Sequence, residues 1–414
     1  MSAETVSVET DRSVVRSQRR ADGTSRDGRG RVKGMPPILE HGFRPFFFLA
    51  SLHAAVAIPT WLSMYFSGQA LSGPFPGLHW HAHEMLFGYL QAVVAGFVLT
   101  AIPNWTGRLP LSGSPLAGLV LLWFAGRAAC VGLPHPFAAM AVDAAFPAVL
   151  AFAVWREVVA GRNWKNAPVA TMISLFGIAN LLDHAANLGL VADGLGMRLA
   201  LASAVVLLAL IGGRIVPSFT RNWLARHEGT VLPASFGMVD KAALATTAMA
   251  CMAWIAVPDA AFTALVLILA GILLGVRLAR WRGYRTSVEP ILLILHVGYG
   301  WLAVAVALIG LASISDIPES SALHALTAGA IGTMTLAVMT RASLGHTGRA
   351  IVAGRSVVAS YAAITVGAIL RVLAPFAGDW YAPVLITGGA LWSAAFVLFA
   401  IRYAPILLGR RKRV

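Results

Sequence analysis

The residues best suited to chemistry lie together at the start of one apolar segment. His79, His81, His83 and Glu84 head a run that stays apolar as far as Pro103. Imidazole and carboxylate groups at the edge of a membrane lose hydration unless other groups compensate. At 100° per residue, His79 and His83 share one helical face and His81 points nearly opposite. One such histidine would indicate a hydrated interfacial residue, but three with a carboxylate favour metal or cofactor ligation.

The composition is that of an integral membrane protein. Of 414 residues, 58% are hydrophobic and 12% charged, and the mean hydropathy is +0.74, whereas soluble proteins carry about a quarter charged residues. The net charge of +14 does not indicate nucleic-acid binding, because the basic residues lie in the tails and alternate loops. Cys130 and Cys251 are too few for a disulfide framework or a cysteine-based metal site. We expect both to be inert core residues.

Apolar segments long enough to cross the hydrocarbon, about 20 residues, predict an all-α polytopic fold with twelve transmembrane helices. They form a domain of residues 37–408, between a basic tail (1–36) expected to be disordered and a basic C-terminal tail (409–414). The predicted spans are 44–66, 80–103, 115–132, 137–158, 166–187, 196–217, 237–257, 261–279, 289–313, 320–340, 355–376 and 380–406.

Basic residues recur in every second loop, and acidic residues occupy most of the others. By the positive-inside rule this predicts a multi-pass protein of the inner (plasma) membrane with both termini cytoplasmic. We expect the arginines from Arg277 to Arg285 to set topology and contact anionic lipid headgroups. The second, sixth and tenth spans end in related basic segments four helices apart. This indicates three four-helix units around a pseudo-threefold axis.

Two of the histidines at the predicted outer face sit above a run of small residues. Below His81 these are Gly88, Ala92 and Gly96, and after His324 they are Ala325, Ala328, Gly329 and Gly332. Met85, one turn below His81, and Gly88 are expected to contact the cofactor. Small residues on a helix serve helix packing or admit a planar macrocycle. Two such helices are what a haem with two histidine ligands requires, so we predict that His81 and His324 ligate one low-spin haem.

A second metal, most plausibly copper, is expected at His79, His83 and His184. The first two are i,i+4 neighbours that can chelate, and imidazole suits copper and zinc alike. Asp183 adjoins His184 and could orient its ring. Arg214 lies at the edge of an apolar span, and we expect it to be buried and to hold a carboxylate or a haem propionate through its bidentate guanidinium.

Several segments of the chain together match one known family. They are Ile38–Phe47, His81–Met85 with Phe87 and Gly88, Ala101–Arg108, Gly213–Asn222, His324–Thr335, Met339–Arg341 and Gly345–Arg349. These segments resemble the NnrS family of haem- and copper-containing bacterial membrane proteins. The resemblance implies a haem of b type, copper, and a link to nitric oxide metabolism, denitrification and resistance to nitrosative stress. Membrane lipid and nitric oxide or a related small molecule would be its partners, and whether it is an enzyme stays open.

A fainter resemblance is to the catalytic subunit of haem–copper oxidases. The spacing of His81, Met85 and Phe87 is similar to that of its second helix, whose histidine binds the low-spin haem opposite a histidine of the tenth helix. That fold also has twelve spans in three arcs. The sixth and seventh spans of this chain, however, contain no histidine for the oxidase copper site. The resemblance therefore does not extend to oxygen reduction at a binuclear centre.

Two other classes of function remain open from the sequence. One is a twelve-helix transporter of a small substrate or metal ion, and the other is an assembly factor for denitrification enzymes. Transport driven by an ion gradient would need a strong pair of acids inside the membrane. Glu84, Asp143 and Asp183 are the main intramembrane acids, and we expect them to form no such pair.

Overall fold

The structure, a computed structural model, describes residues 35–227 and 231–410, except for the side chains of Asn104 and Trp105. Within these residues there are no strands, and twelve helices are long and apolar enough to cross a membrane. They are α1 (Phe43–Ser67), α2 (Gly77–Pro103), α3 (Ser114–Gly132), α4 (Pro136–Ala160), α5 (Trp164–Asn187), α6 (Leu195–Arg226), α7 (Met238–Ala256), α8 (Ala261–Ala279), α9 (Pro290–Ala312), α10 (Glu319–His346), α11 (Arg355–Phe376) and α12 (Gly378–Leu407).

The predicted all-α fold with twelve spans is confirmed, and the differences lie at helix ends. α6 and α10 continue to Arg226 and His346, past the predicted ends at 217 and 340, because amphipathic turns extend these helices beyond their apolar stretch. Gly68 ends α1 at a φ of 70°, a left-handed conformation that glycine adopts without strain. The predicted N-terminal tail lies outside the described residues except for residues 35 and 36, as does most of the C-terminal tail.

Each helix packs against its neighbours along the chain, and α12 packs back on α1. The contacts α12–α1, α4–α5 and α8–α9 follow one another at intervals of four helices, as do α1–α2, α5–α6 and α9–α10. Because consecutive helices make contacts of this kind in many bundles, the three four-helix units stay a prediction.

The helices α2, α6 and α10, which follow one another at intervals of four helices, each contain a π-helical turn. The turns span Glu84–Leu90, Leu208–Gly212 and Ala325–Ile331. A π turn holds one residue more than an α turn and is frequent at functional sites. In α2 and α10 the turn begins within three residues of His81 and His324. It therefore alters the helix where the sequence predicts the haem ligands.

A carbonyl oxygen in each π turn accepts a hydrogen bond from a side chain of another helix. The donors are two indoles and one guanidinium, at distances of 2.8 to 3.2 Å. Since each donor belongs to another helix, these bonds tie each π turn into the bundle. The pairs are Trp123 with Gly88, Arg277 with Ala209, and Trp392 with Ala328.

Candidate cofactor and metal sites

The rings of His81 and His324 face each other between α2 and α10. Their centres are 6.4 Å apart and their planes differ by 5°. When two imidazoles share a metal, each nitrogen lies about 2 Å from it and each ring centre about 1 Å further away, so the ring centres are about 6 Å apart. His324 Nδ1 donates to the carbonyl oxygen of Ser320 at 2.6 Å, which leaves Nε2 as its ligand atom. The spacing of the two rings therefore fits a shared metal.

Aromatic and basic side chains surround this histidine pair. The indole of Trp61 on α1 stacks on His81 with ring centres 4.3 Å apart. Arg371 on α11 is close enough to His81 and His324 to interact with both electrostatically. Its Nε and Nη1 are buried without a hydrogen-bond partner in the described part of the chain. Buried guanidinium nitrogens without a partner are costly, so this position suits an anion such as a haem propionate.

The opposite face of α2 carries a second set of polar groups, and His83 lies at its centre. Its Nδ1 is 2.7 Å from Asp183 Oδ2 and its Nε2 is 2.9 Å from Asp143 Oδ2. His79 Nε2 contacts the other oxygen of Asp183 at 2.9 Å, and His184 Nε2 contacts Asp143 Oδ2 at 3.1 Å. Because His79 and His83 share Asp183 while His81 faces α10, the predicted division of these histidines between two helix faces is confirmed.

Arg127 of α3 joins two carboxylates of this set. It donates to Glu84 Oε1 at 2.6 Å and, through Nη2, to Asp143. His53 Nε2 lies 3.0 Å from the second oxygen of Glu84. Three acids from separate stretches of sequence thus converge inside the bundle, where their ion-pair partners are Arg127 and histidines. We call His79, His83, Glu84, Arg127, Cys130, Asp143, Asp183 and His184 the histidine–carboxylate cluster.

Cys130 is buried in the core, as expected, but it also belongs to this cluster. Its Sγ is 3.7 Å from His83 Nε2, a polar contact that the sequence did not predict. One donor atom from each of His83, Cys130, Asp143 and His184 lies within 4.8 Å of the others, and all four residues are buried. Cys251 packs in the hydrophobic core as expected, and its Sγ lies 3.8 Å from the backbone carbonyl oxygen of Ala202.

The loop before α2 covers the cluster with one aromatic side chain. Phe75 is 2% exposed, and its ring centre lies 4.7, 4.3 and 4.8 Å from those of His79, His83 and His184. Asn187 of α5 donates to the carbonyl oxygen of Pro74 and so ties this loop to α5. The phenyl ring thereby separates the cluster from solvent at the end of the bundle where α2 begins.

The two other residues of α2 predicted to contact the cofactor, Gly88 and Met85, have different surroundings. A Cβ added to Gly88 would be 2.7 Å from His53 Nε2 and 2.9 Å from Glu84 Oε2. Gly88 therefore lies against these charged groups and not in the space below His81. The extra residue of the π turn rotates Gly88 away from the helix face that carries His81. Met85 is partly buried and packs in an apolar group with Trp61.

Arg214 is exposed, so the prediction of a buried role for it was wrong. The most deeply buried arginines of the described chain are Arg44, Arg127 and Arg277. Arg44 makes an ion pair with Glu40 at 3.3 Å. The anion-binding role expected of Arg214 is performed at the cluster by Arg127.

The family profile described as "NnrS protein" matches residues 37–411, which is nearly the whole chain. The chain belongs to the NnrS family. No protein among the curated proteins matches it. The NnrS-like segments of α2 and α10 noted in the sequence are those that bring His81 and His324 together.

Three residues of the two sites were missed by sequence reasoning: Arg127, Cys130 and Arg371. A signal existed for the arginines, because both lie within apolar spans, where an unpaired cation is expensive. For Cys130 the sequence offers no signal, since its distance to His83 depends on how α3 packs against α2.

Proposed function

We propose that this NnrS protein binds a haem of b type between His81 and His324 and supports nitric oxide metabolism or resistance to nitrosative stress. The observation that carries the proposal is the parallel pair of rings with centres 6.4 Å apart. The two cysteines of the chain, Cys130 and Cys251, do not form a C-x-x-C-H motif. The haem is therefore held without thioether bonds.

Each surrounding residue has a physical role in this proposal. The hydrogen bond to the Ser320 carbonyl fixes the tautomer and orientation of His324. Stacking on Trp61 fixes the ring of His81. Arg371 supplies positive charge for a propionate, and the hydroxyls of Tyr65 and Tyr381, 3.3 Å apart, interact electrostatically with Arg371.

The bound haem supplies one-electron chemistry. His81 and His324 would both hold the iron, so a gas would have access to it only if one of the two histidines were displaced. The arrangement therefore favours electron transfer over tight binding of nitric oxide at this site. This is consistent with a supporting role in nitric oxide metabolism.

The visible spectrum of the purified protein tests the haem. We expect a sharp Soret band, the reduced spectrum of a six-coordinate low-spin haem, and about one haem per chain for this histidine pair. His81→Ala and His324→Ala should each lose this stoichiometric band, because one axial ligand is missing. His135→Ala, at an exposed histidine preceding α4, is the control and should keep it. Wild-type protein that lacks haem would rule out the site.

Growth under a nitric oxide donor tests the physiological role. A strain without its own copy of the gene should recover tolerance when it receives the wild-type chain, but not when it receives His81→Ala. Equal recovery with both chains would separate tolerance from the haem site and contradict this part of the proposal.

Arg371→Gln should weaken haem retention about 10- to 100-fold, because a hydrogen bond to a charged group contributes about 1.5–3 kcal/mol. The midpoint potential of the remaining haem should fall, since a positive charge near the iron favours the reduced state. Titration with haem measures the retention, and spectroelectrochemistry measures the midpoint potential. Arg355→Gln, at an exposed arginine at the other end of α11, should change neither. An unchanged potential in Arg371→Gln would mean that the guanidinium does not contact the haem.

A further inference from the structure

We propose that His83, Cys130, Asp143 and His184 form a binding site for a thiophilic d10 metal ion, Cu(I) or Zn(II). The site lies on the face of α2 opposite His81 and is separate from the proposed haem. It differs from the copper site expected from sequence, because Cys130 and Asp143 take the place of His79 in the ligand set.

The charges of the cluster call for a cation. Glu84, Asp143 and Asp183 are each at most 2% exposed, and buried carboxylates must be paired or bind metal. Among the ion pairs they make in the described chain, one arginine, Arg127, is the partner of two of them. The remaining partners are histidines. Two negative charges are therefore left to be balanced by protonated imidazoles or by a bound ion.

The donor atoms already have nearly the spacing that a metal needs. Metal–nitrogen distances of about 2.0 Å and metal–sulfur distances of about 2.3 Å place tetrahedral donor atoms about 3.3–3.6 Å apart. Asp143 Oδ2 lies 2.9 Å from His83 Nε2 and 3.1 Å from His184 Nε2. Cys130 Sγ lies 3.7 Å from His83 Nε2. These three distances lie within a few tenths of an ångström of that range, and the remaining donor pairs lie within 4.8 Å, so donor shifts of up to about 1.5 Å would bring all four atoms to one ion.

The residues behind the ligands are those that a metal site requires. Asp183 holds His83 Nδ1 at 2.7 Å, so Nε2 is directed at the donor group, as in carboxylate–histidine–metal arrangements. Arg127 donates to the other carboxylate oxygen of Asp143, Oδ1, and Asn180 donates to Oδ2 at 2.7 Å. Phe75 packs on the rings of His83 and His184. The site is thus oriented by hydrogen bonds and shielded from water.

The ligand chemistry selects the class of metal. A thiolate with two imidazoles favours Cu(I) and Zn(II), and it disfavours Mg²⁺ and Ca²⁺, which take oxygen ligands. Four donors from the protein close a tetrahedral site. Zn²⁺ sites with four protein ligands are structural, whereas catalytic ones keep a position open.

Metal analysis of the full-length protein tests the site. Haem-containing protein is incubated with Cu(I) or Zn(II) in separate samples, desalted against a weak chelator and analysed for metal. The wild type should retain about one ion per chain, as a closed four-ligand site does, and the two samples show which ion is held. Cys130→Ser and His184→Ala should lose it. Cys251→Ser, at the other buried cysteine, should retain it.

Loading with Co(II) provides a second measurement. A tetrahedral thiolate site gives visible d–d bands and a near-ultraviolet sulfur-to-cobalt charge-transfer band, and the latter should vanish in Cys130→Ser. The Soret band and the elution volume of each variant report folding and haem separately from metal. Retention of the same metal by Cys130→Ser, or no retained metal in folded wild-type protein, would overturn the proposal. Loss of haem alone would leave the proposal standing.

Discussion

Replacing Arg127 by leucine should reduce the free energy of unfolding by about 3–5 kcal/mol, as the removal of one partner from a buried ion pair does. Arg127 bonds Glu84 at 2.6 Å and also bonds Asp143. Its loss would leave both carboxylates without their arginine in a region from which Phe75 and the surrounding helices exclude water. Thermal unfolding of the purified protein in detergent, followed by circular dichroism, measures the effect.

Two comparisons show whether charge is the cause. Combining Arg127→Leu with Glu84→Gln should recover part of the loss, because one of the two uncompensated charges is removed. Arg156→Leu breaks an ion pair with Glu157 in which the arginine side chain is 51% exposed, and should cost less than about 1 kcal/mol. If Arg127→Leu unfolds at the wild-type temperature, the carboxylates do not depend on Arg127.

The twelve spans and the two faces of α2 that carry its histidines could be predicted, because both depend on local periodicity. Twelve apolar stretches give twelve helices, and the 100° rotation per residue separates His81 from His83. The same rule fails across the π turn at Glu84–Leu90, where one extra residue carries Gly88 to the side of His53 and Glu84. A single sequence gives no reliable signal for such a turn.

The cluster itself depends on packing between α2, α3, α4 and α5. Its members come from positions 79 to 184, and no local pattern states that Cys130 and Asp143 meet at His83. The sequence did show which residues are expensive to keep in a membrane, namely Glu84, Asp143 and Asp183. A similar inference was available for Arg127 and Arg371, but the positive-inside rule offered a simpler explanation for basic residues near span ends.

Arg277 is another residue that the positive-inside rule misassigned. It was grouped with the lipid-facing arginines that extend to Arg285, yet its side chain is 1% exposed. Its Nε donates to Asp240 at 2.8 Å, and its Nη1 donates to the carbonyl oxygen of Ala209 and the hydroxyl of Tyr299 at 2.8 and 2.9 Å. The guanidinium thus connects α8 to α7, α9 and the π turn of α6.

Arg277→Leu should therefore destabilise the protein by about 3–5 kcal/mol, because Asp240 is buried and loses its main partner. The Ala209 carbonyl and the Tyr299 hydroxyl lose a bond at the same time. Arg277→Lys keeps the charge without the fork of donors and should be intermediate. Thermal unfolding in detergent again measures these differences.

Arg280→Leu is the matched control on the same segment. Arg280 contacts the same carboxylate at 3.3 Å, but its side chain is 28% exposed, so its loss should cost at most about 1 kcal/mol. Gly213→Val tests the geometry without changing charge. A Cβ at Gly213 would lie 2.3 Å from Arg277 Nη2 and 2.4 Å from Nη1, so the guanidinium must move out of its bonds. Gly213→Val should therefore resemble Arg277→Leu, whereas wild-type unfolding in both variants would show that this bridge does not stabilise the bundle.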